Sequence, residues 1–172
     1  MCLCIGDGST PRTAVLVSFM KKGWRTVSID PNLNSEWEGA HESVRGMIGF
    51  KGKLEDFMME PVEKQIPILQ ADEVLETKRF KHLVLLCVHS HVQFQNETNI
   101  ENVRKRYAYP RATLVSIPCC PKYRHAADIK RQPDHLYEDD CIFSACRKVS
   151  VWNFTEGIGI PKFCVKNKIC SE

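Results

Sequence analysis

Short apolar runs separated by polar segments dominate the first two thirds of the chain. Such runs are typical of strands buried on both faces of a sheet, because both sides of these strands contact helices. The run at residues 83–88 is the clearest, since it is apolar throughout and too short for a helix. We predict strands at residues 3–5, 25–30, 45–50, 82–88 and 112–117, with the fourth at the centre of the sheet.

Segments with helical spacing lie between these strands. Within residues 11–22, Val15, Leu16, Phe19 and Met20 recur as one helical face, with a proline suited to the first turn and a glycine to the end. Further helices are predicted at residues 35–44 and 97–107. This alternation predicts an α/β protein with a mostly parallel sheet of about six to seven strands and helices on both faces.

The last third of the chain departs from this alternation. Residues 118–140 are polar and irregular, and two β-rich runs at residues 141–146 and 149–154 predict an antiparallel hairpin. We therefore assign residues 1–154 to one domain and residues 155–172 to a C-terminal loop or tail. Because the first strand begins almost at the first residue, we expect the chain to belong to a larger polypeptide or complex.

The composition is that of a globular protein with one domain. The chain has 172 residues, of which 43% are hydrophobic and 26% charged, and this length allows a sizeable core. No apolar run reaches the length of a membrane span, and the start of the chain lacks the layout of a signal peptide. We therefore expect an intracellular protein, cytoplasmic or nuclear, that does not bind membranes. Cys4 and Cys87 lie in apolar runs, which indicates packed thiols in a reducing compartment.

A glycine-rich turn follows the first predicted strand. Gly6 and Gly8 leave room for a ligand at the backbone, because they have no Cβ atoms. Asp30 ends the second predicted strand, where a carboxylate can accept hydrogen bonds from a ribose diol. This layout is that of a nucleotide-binding βαβ unit, and the alternative is an ordinary glycine turn. Because the third glycine of the dinucleotide motif and the Gly-Lys-Ser/Thr of a Walker loop are both absent, a pyrophosphate ligand is disfavoured.

The order of these motifs resembles that of the class I methyltransferases that use S-adenosylmethionine. The resemblance implies a Rossmann-like sheet closed by the terminal hairpin, with S-adenosylmethionine as the cofactor. In that family the Gly-x-Gly turn passes the methionine part of the cofactor, which assigns this contact to Gly6, Asp7 and Gly8. The acid after the second strand holds the ribose, which assigns that contact to Asp30. Cys4 departs from the family, which often has an acid there.

The same resemblance implies a third contact with the cofactor. In the family, an acid just after the third strand meets the adenine amino group. Glu55 and Asp56 follow the third predicted strand and are the candidates for this contact. The alternative for each is an exposed acid at the start of a helix.

Candidate catalytic residues follow the fourth and fifth predicted strands. An imidazole with a pKa of about 6.5 can accept a proton near neutral pH, so His89 is the candidate general base. Lys122 resembles a lysine of the Lys-Asp-Lys-Glu set of ribose methyltransferases. His89 and His91 after the fourth predicted strand, and Cys119-Cys120 after the fifth, are reminiscent of an atypical group of tRNA ribose methyltransferases. The alternatives are a histidine bound by backbone groups, and a zinc site formed by His89, His91, Cys119 and Cys120.

Basic residues cluster in the second half of the chain, interleaved with tyrosines. The clusters are Arg104-Lys105-Arg106, Arg111, Lys122-Tyr123-Arg124 and Lys130-Arg131. Such residues can bind phosphates and stack on bases, so RNA is the expected partner, and the alternative is an ordinary solvated surface. We therefore expect a methyltransferase that acts on RNA. The alternatives are a domain without catalysis that binds RNA or protein, and another nucleotide-binding protein such as a dehydrogenase.

Overall fold

The computed structural model describes residues 1–60, 82–90, 92, 94, 97–106, 110–118, 129, 131–142 and 146–155. The strands in this part of the chain are β1 (Cys2–Ile5), β2 (Thr26–Asp30), β3 (Gly39–Ala40), β4 (Met47–Lys51), β5 (Leu83–Val88), β6 (Arg111–Ile117), β7 (His135–Glu138) and β8 (Lys148–Thr155). The α-helices are α1 (Arg12–Met20), α2 (Leu54–Met59) and α3 (Glu97–Arg106), and Ser35–Trp37 forms one turn of 3-10 helix.

All eight strands belong to one mixed sheet, in the order β3-β4-β2-β1-β5-β6-β8-β7. The five strands from β4 to β6 in this order pair parallel to one another. β3 pairs antiparallel with β4, β8 pairs antiparallel with β6, and β7 pairs antiparallel with β8. The prediction of an α/β protein is confirmed. The sheet has one strand more than predicted, because the two-residue β3 adds to its edge.

Side chains alternate across β1, which gives the sheet two apolar faces. On one face, Leu3 belongs to a core that includes Phe57 of α2 and Ile100 of α3. On the other face, Cys4 packs in a second core with Ala14 of α1. Helices therefore lie on both faces of the sheet.

The side of α1 that packs on the sheet is not the side that its large apolar residues predict. Ala14 is fully buried, whereas Leu16, Phe19 and Met20 are 56%, 69% and 69% exposed. A small side chain lets the helix lie close to the sheet, which the three larger side chains would prevent. A hydrogen bond between the hydroxyl groups of Ser18 and Thr26 of β2 also fixes this orientation.

Residues 35–44 do not form the predicted α-helix. The 3-10 turn in this segment leads directly into β3, which pairs with β4. Gly49 of β4 permits this path, because a Cβ atom there would lie 1.7 Å from the carbonyl oxygen of Trp37. Gly39 begins β3 with a φ of 79°, a value that favours glycine. The segment therefore crosses β4 at close range and ends as an edge strand.

The C-terminal hairpin forms, but its first strand differs from the prediction. β8 contains the predicted run 149–154, whereas β7 lies in the segment that is predicted to be irregular. The predicted strand 141–146 begins instead in a turn, and its residues 143–145 lie outside the described part of the chain. Asp134 helps to select β7, because its carboxylate accepts a hydrogen bond of 2.6 Å from the Asn153 N–H of β8. A polar residue before β7 therefore sets the register of the hairpin.

The predicted tail at residues 155–172 falls almost entirely outside the described residues, and Thr155 itself is the last residue of β8. Among the helices that the structure describes, none is both long enough and apolar enough to cross a membrane.

Candidate functional site

The glycine turn lies at the edge of the sheet where five parallel strands end. β1, β2, β4, β5 and β6 run in the same direction, so their carboxyl ends lie at this edge. β1 lies between β2 and β5, and the chain continues first to β2 on one side and later to β5 on the other. The boundary between β1 and β5 is therefore a topological switch point. Ligands of open α/β sheets bind at such a point, outside the carboxyl ends of the strands.

Gly6 forms the first half of the turn in close contact with the end of β5. Its φ is 73°, and its N–H donates a hydrogen bond of 2.8 Å to the carbonyl oxygen of Ile29. A Cβ atom at this position would lie 2.5 Å from Oγ of Ser90, which is buried. Glycine is therefore required here both by the backbone conformation and by the approach of Ser90.

Gly8 forms the second half of the turn and is held by Asp30. Its φ is 85°, and its N–H donates a hydrogen bond of 2.8 Å to Oδ2 of Asp30. The other carboxylate oxygen, Oδ1, accepts a hydrogen bond of 2.7 Å from the Asn32 N–H. A Cβ atom at Gly8 would have no atom within 4 Å, so open space lies beside this part of the turn.

Asp7 points toward the start of α1. Its carboxylate accepts hydrogen bonds of 2.9 Å from the N–H groups of Thr13 and Ala14, and the Ser28 hydroxyl lies at 3.4 Å. Burial raises the pKa of Asp7 above its usual value, although these hydrogen bonds act in the opposite direction. The Asp7 side chain thus caps α1 from within the turn. Only the backbone of Asp7 therefore lies within the turn, between Gly6 and Gly8.

The remaining N–H groups at the start of α1 are also occupied. The Arg12 N–H donates to the carbonyl oxygen of Thr10 at 2.8 Å, and the Val15 N–H donates to that of Pro11 at 2.9 Å. Free N–H groups at a helix start are what bind phosphate in dinucleotide and nucleoside triphosphate sites. Residues 12–15 have no free N–H group of this kind, because the Asp7 carboxylate and two preceding carbonyl groups accept hydrogen bonds from all four.

Glu55 and Asp56 lie in the first turn of α2, and both are exposed. Oδ2 of Asp56 accepts a hydrogen bond of 2.9 Å from the Lys53 N–H, so this carboxylate caps the helix. The Gly52 N–H donates to the backbone carbonyl oxygen of Asp30 at 3.1 Å, which ties the entry of α2 to the end of β2. The structure therefore brings this segment to the same edge as the glycine turn.

His89 directly follows β5 and has an exposed side chain. Its φ is 54°, and it is the one residue other than glycine with a positive φ in the described part of the chain. The backbone N–H of His89 donates a hydrogen bond of 2.9 Å to the carbonyl oxygen of Ile117, which holds this conformation. Residues held in sparsely populated backbone conformations cluster at functional sites.

Ser90 is a site residue that the sequence gives no reason to single out. It is 2% exposed, and its Oγ accepts a hydrogen bond of 3.2 Å from the Val92 N–H. Because Ser90 also contacts Gly6, it places the end of β5 against the glycine turn. His89 is thereby carried to the same edge as Gly8 and Asp30.

Other candidates from the sequence lie outside the described residues or are buried in the core. Lys122, His91, Cys119 and Cys120 are among the residues that the structure does not describe. Within the described residues, no group of three or more histidine, cysteine or acidic side chains is placed to hold a metal ion. The Cys4 thiol is buried 3.8 Å from that of another β1 cysteine, and this hydrogen-bonded contact and burial raise its pKa, so it acts as a packed thiol.

The basic cluster of α3 is largely engaged within the protein. Arg104 is 4% exposed and forms a salt bridge of 2.8 Å with Glu101. The guanidinium group of Arg106 donates hydrogen bonds to the backbone carbonyl groups of Met58 and Glu60, at the end of α2. Lys105 is the exposed member of the cluster. Arg106 therefore ties α3 to the end of α2, Arg104 is buried and paired within α3, and Lys105 is the one available to a partner.

We compared the chain with protein-family models, curated proteins and solved structures, and none of them matches it. Its interpretation therefore depends on the geometry of the site.

Proposed function

We propose that the chain is a Rossmann-like methyltransferase domain that binds S-adenosylmethionine and acts on RNA. The strand order supports the fold: counted along the chain, the five parallel strands lie in the order 3-2-1-4-5, which doubly wound nucleotide-binding sheets share. A terminal antiparallel hairpin follows these strands, as the resemblance to class I methyltransferases implies.

The contact between Gly8 and Asp30 beside open space is the observation that carries the proposal. The Asp30 carboxylate has two oxygens, and each accepts one backbone N–H. A carboxylate oxygen has two lone pairs, so each oxygen keeps one acceptor position for a hydroxyl of a ribose diol. The open space at Gly8 leaves room for the methionine part of the cofactor along the turn.

The start of α1 favours S-adenosylmethionine over other nucleotides. NAD and ATP carry phosphates, which need free N–H groups or basic loops at such a turn. The amide groups of residues 12–15 are already hydrogen-bonded within the protein. S-adenosylmethionine has a ribose but no phosphate, so it matches a turn that offers an acid and is followed by a helix start whose N–H groups are already hydrogen-bonded.

The proposed roles of the chain's own residues follow from their positions. S-adenosylmethionine supplies an electrophilic methyl group when bound. Asp30 orients the ribose, Gly8 lets the ligand approach the backbone, and Gly6 leaves the space beside its own Cα to Ser90. His89 accepts the proton of the acceptor group, because its exposed imidazole is held at the same edge by a fixed backbone conformation.

Calorimetry with S-adenosylmethionine tests the cofactor site. Gly8→Leu should abolish binding, because the new side chain fills the open space beside the turn. Gly23→Leu is the matched control: Gly23 has a φ of 84° and also faces open space, so it carries the same backbone strain away from the site. Absence of binding by the wild type, or equal losses in both variants, would contradict the proposal.

A transfer assay with RNA and radiolabelled S-adenosylmethionine tests the reaction. His89→Asn should lower turnover by about 10²–10⁴-fold with little change in cofactor affinity, because a positioned base contributes about that factor. Asparagine tolerates a positive φ, so the backbone should keep its conformation. Unchanged turnover would exclude His89 as the base.

A test of RNA binding has to leave the internal contacts of α3 intact. Lys105→Glu should weaken binding and reduce its dependence on salt, because each phosphate contact releases counterions. Reversal of Arg104 or Arg106 would break contacts within the fold and would not isolate an effect on RNA. If the chain binds RNA but not S-adenosylmethionine, the alternative of a binding module without catalysis is correct.

A further inference from the structure

The outward side of α1 presents a stripe of exposed apolar side chains. Leu16, Phe19 and Met20 are 56%, 69% and 69% exposed. Residues spaced by three and four positions are neighbours on a helix surface, so the three form one continuous stripe. The opposite side of α1, which includes the fully buried Ala14, packs on the sheet. The stripe is therefore not needed for the contact of α1 with the sheet.

Positive charge lies at both ends of this stripe. Residues 8–29 contain four basic residues and no acidic one. Among the basic residues, Arg12, Lys21 and Lys22 are exposed. Arg12 lies one helical turn before Leu16, and Lys21 directly follows Met20. The stripe and these three cations form a surface that we call the α1 surface.

We propose that the α1 surface docks an acidic amphipathic helix of a partner protein. A contiguous exposed apolar stripe with a charged rim is typical of an interaction site. The apolar side chains of the stripe are spaced by three and four residues, which is the spacing through which amphipathic helices pack on a partner. The exposed cations fit a partner whose apolar residues are flanked by aspartate or glutamate, because complementary charge selects the partner and speeds association.

Charge and chemistry argue against other occupants. A second copy of this chain would bring six exposed cations together, three from each copy, and like charges at an interface oppose association. RNA would match the cations, but its phosphates would not bury Leu16 and Met20. The α1 surface is independent of the cofactor site, because the residues of its stripe have no assigned role there.

A synthetic acidic peptide is the probe for this surface. We would use a fluorescein-labelled helix of about 18 residues, with leucine on one face and glutamate on the other. One control peptide replaces every glutamate by lysine, and a second replaces every leucine by serine. The acidic peptide should bind and the two controls should not. Binding should weaken as salt is added, because the charges are exposed.

Paired variants of the full chain then locate the binding. Leu16→Ser with Phe19→Ser, and separately Lys21→Glu with Lys22→Glu, should each weaken peptide binding by at least about tenfold, which corresponds to ~1.4 kcal/mol. Met59→Ser is the matched apolar control, because Met59 is 84% exposed on α2. Lys105→Glu is the matched charge control. Circular dichroism and thermal melting should show that all four proteins remain folded, since every changed side chain is exposed.

Three results would overturn the proposal. The first is failure of the acidic peptide to bind, or binding that the α1 variants leave unchanged. The second is binding of the wild type, but not of the α1 variants, to vesicles that contain phosphatidylserine, without binding of the peptide. The third is concentration-dependent dimerisation in sedimentation experiments that the Leu16→Ser and Phe19→Ser changes abolish.

Discussion

Two pairs of acidic residues at the same edge of the sheet have very different surroundings. Asp30 is buried and Asp7 is partly buried, and each carboxylate accepts two backbone N–H groups. Glu55 and Asp56 are exposed on α2, and Asp56 accepts one backbone N–H. The sequence resemblance assigns all four to the cofactor. The four residues therefore differ in how far each of them also supports the fold.

This difference shows that a carboxylate at a proposed ligand site can be mainly a structural acceptor. A buried carboxylate needs hydrogen-bond donors, and the amide groups of the glycine turn and of α1 supply them. An exposed carboxylate is hydrated, so its loss costs little in the fold. Stability measurements on four single variants should therefore separate the two pairs, and affinity measurements should show which residues contact a ligand.

Asp30→Ala should have the largest effect. The change leaves the N–H groups of Gly8 and Asn32 without their acceptor, and hydrogen bonds to a charged group contribute about 1.5–3 kcal/mol each. We expect the free energy of unfolding in urea to fall by about 3 kcal/mol or more, with loss of S-adenosylmethionine binding. A fall of less than 1 kcal/mol would mean that the turn does not depend on Asp30.

Asp7→Ala should have the next largest effect. It removes the cap of α1, in which the carboxylate accepts the N–H groups of Thr13 and Ala14. Loss of such a cap costs about 1–2 kcal/mol. Urea unfolding measures the change. Because the Asp7 side chain faces the helix, S-adenosylmethionine affinity measured below the onset of unfolding should change much less than it does in Asp30→Ala.

Asp56→Ala and Glu55→Ala form a matched pair on α2. Asp56→Ala should lower the free energy of unfolding by about 0.5–1 kcal/mol through loss of its cap, and Glu55→Ala should leave it within about 0.5 kcal/mol. If Glu55 contacts the adenine amino group, Glu55→Ala should weaken S-adenosylmethionine binding without a change in stability. Unchanged affinity in both variants would remove α2 from the cofactor site.

The pH dependence of the Asp7 contribution should be the smallest effect. Burial raises the pKa of folded Asp7 above the reference value of 3.8, so the folded state binds this proton more tightly than the unfolded state does. The contribution of Asp7 to the free energy of unfolding therefore falls as the pH rises from 3.8 through the pKa of the folded state. The advantage of the wild type over Asp7→Ala should decrease over this range in urea titrations, and an increase would contradict the direction of the shift.

The central part of the fold could be predicted from the sequence because continuous apolar runs mark strands that are buried on both faces. β2, β5 and β6 lie within about a residue of their predicted limits. The less successful predictions concern segments whose structure depends on distant contacts. β3 forms because Gly49 lets Trp37 cross β4, and β7 is selected by a hydrogen bond that the Asp134 carboxylate accepts from β8. Neither contact leaves a periodic pattern in its own segment.

For the site, the sequence allows several residues to be placed at one edge of the sheet, but it does not show which contacts hold them there. Gly6, Gly8, Asp30 and His89 all lie at the carboxyl edge of the parallel strands, which follows from their positions after strands. The sequence does not show that Asp7 turns toward α1. It also gives no signal for Ser90, since contact between Gly6 and Ser90 depends on the neighbouring positions of β1 and β5 in the sheet.

The position of β8 also constrains the order in which the sheet can be completed during synthesis. β7 precedes β8 in the chain, yet within the described sheet it pairs with β8 alone, and β8 fills the place beside β6. A nascent chain that has left the ribosome only as far as β7 therefore has an open edge at β6. Open edges of this kind invite pairing with other chains. Release of β8 should thus be the event that closes this edge and protects the newly made protein from aggregation.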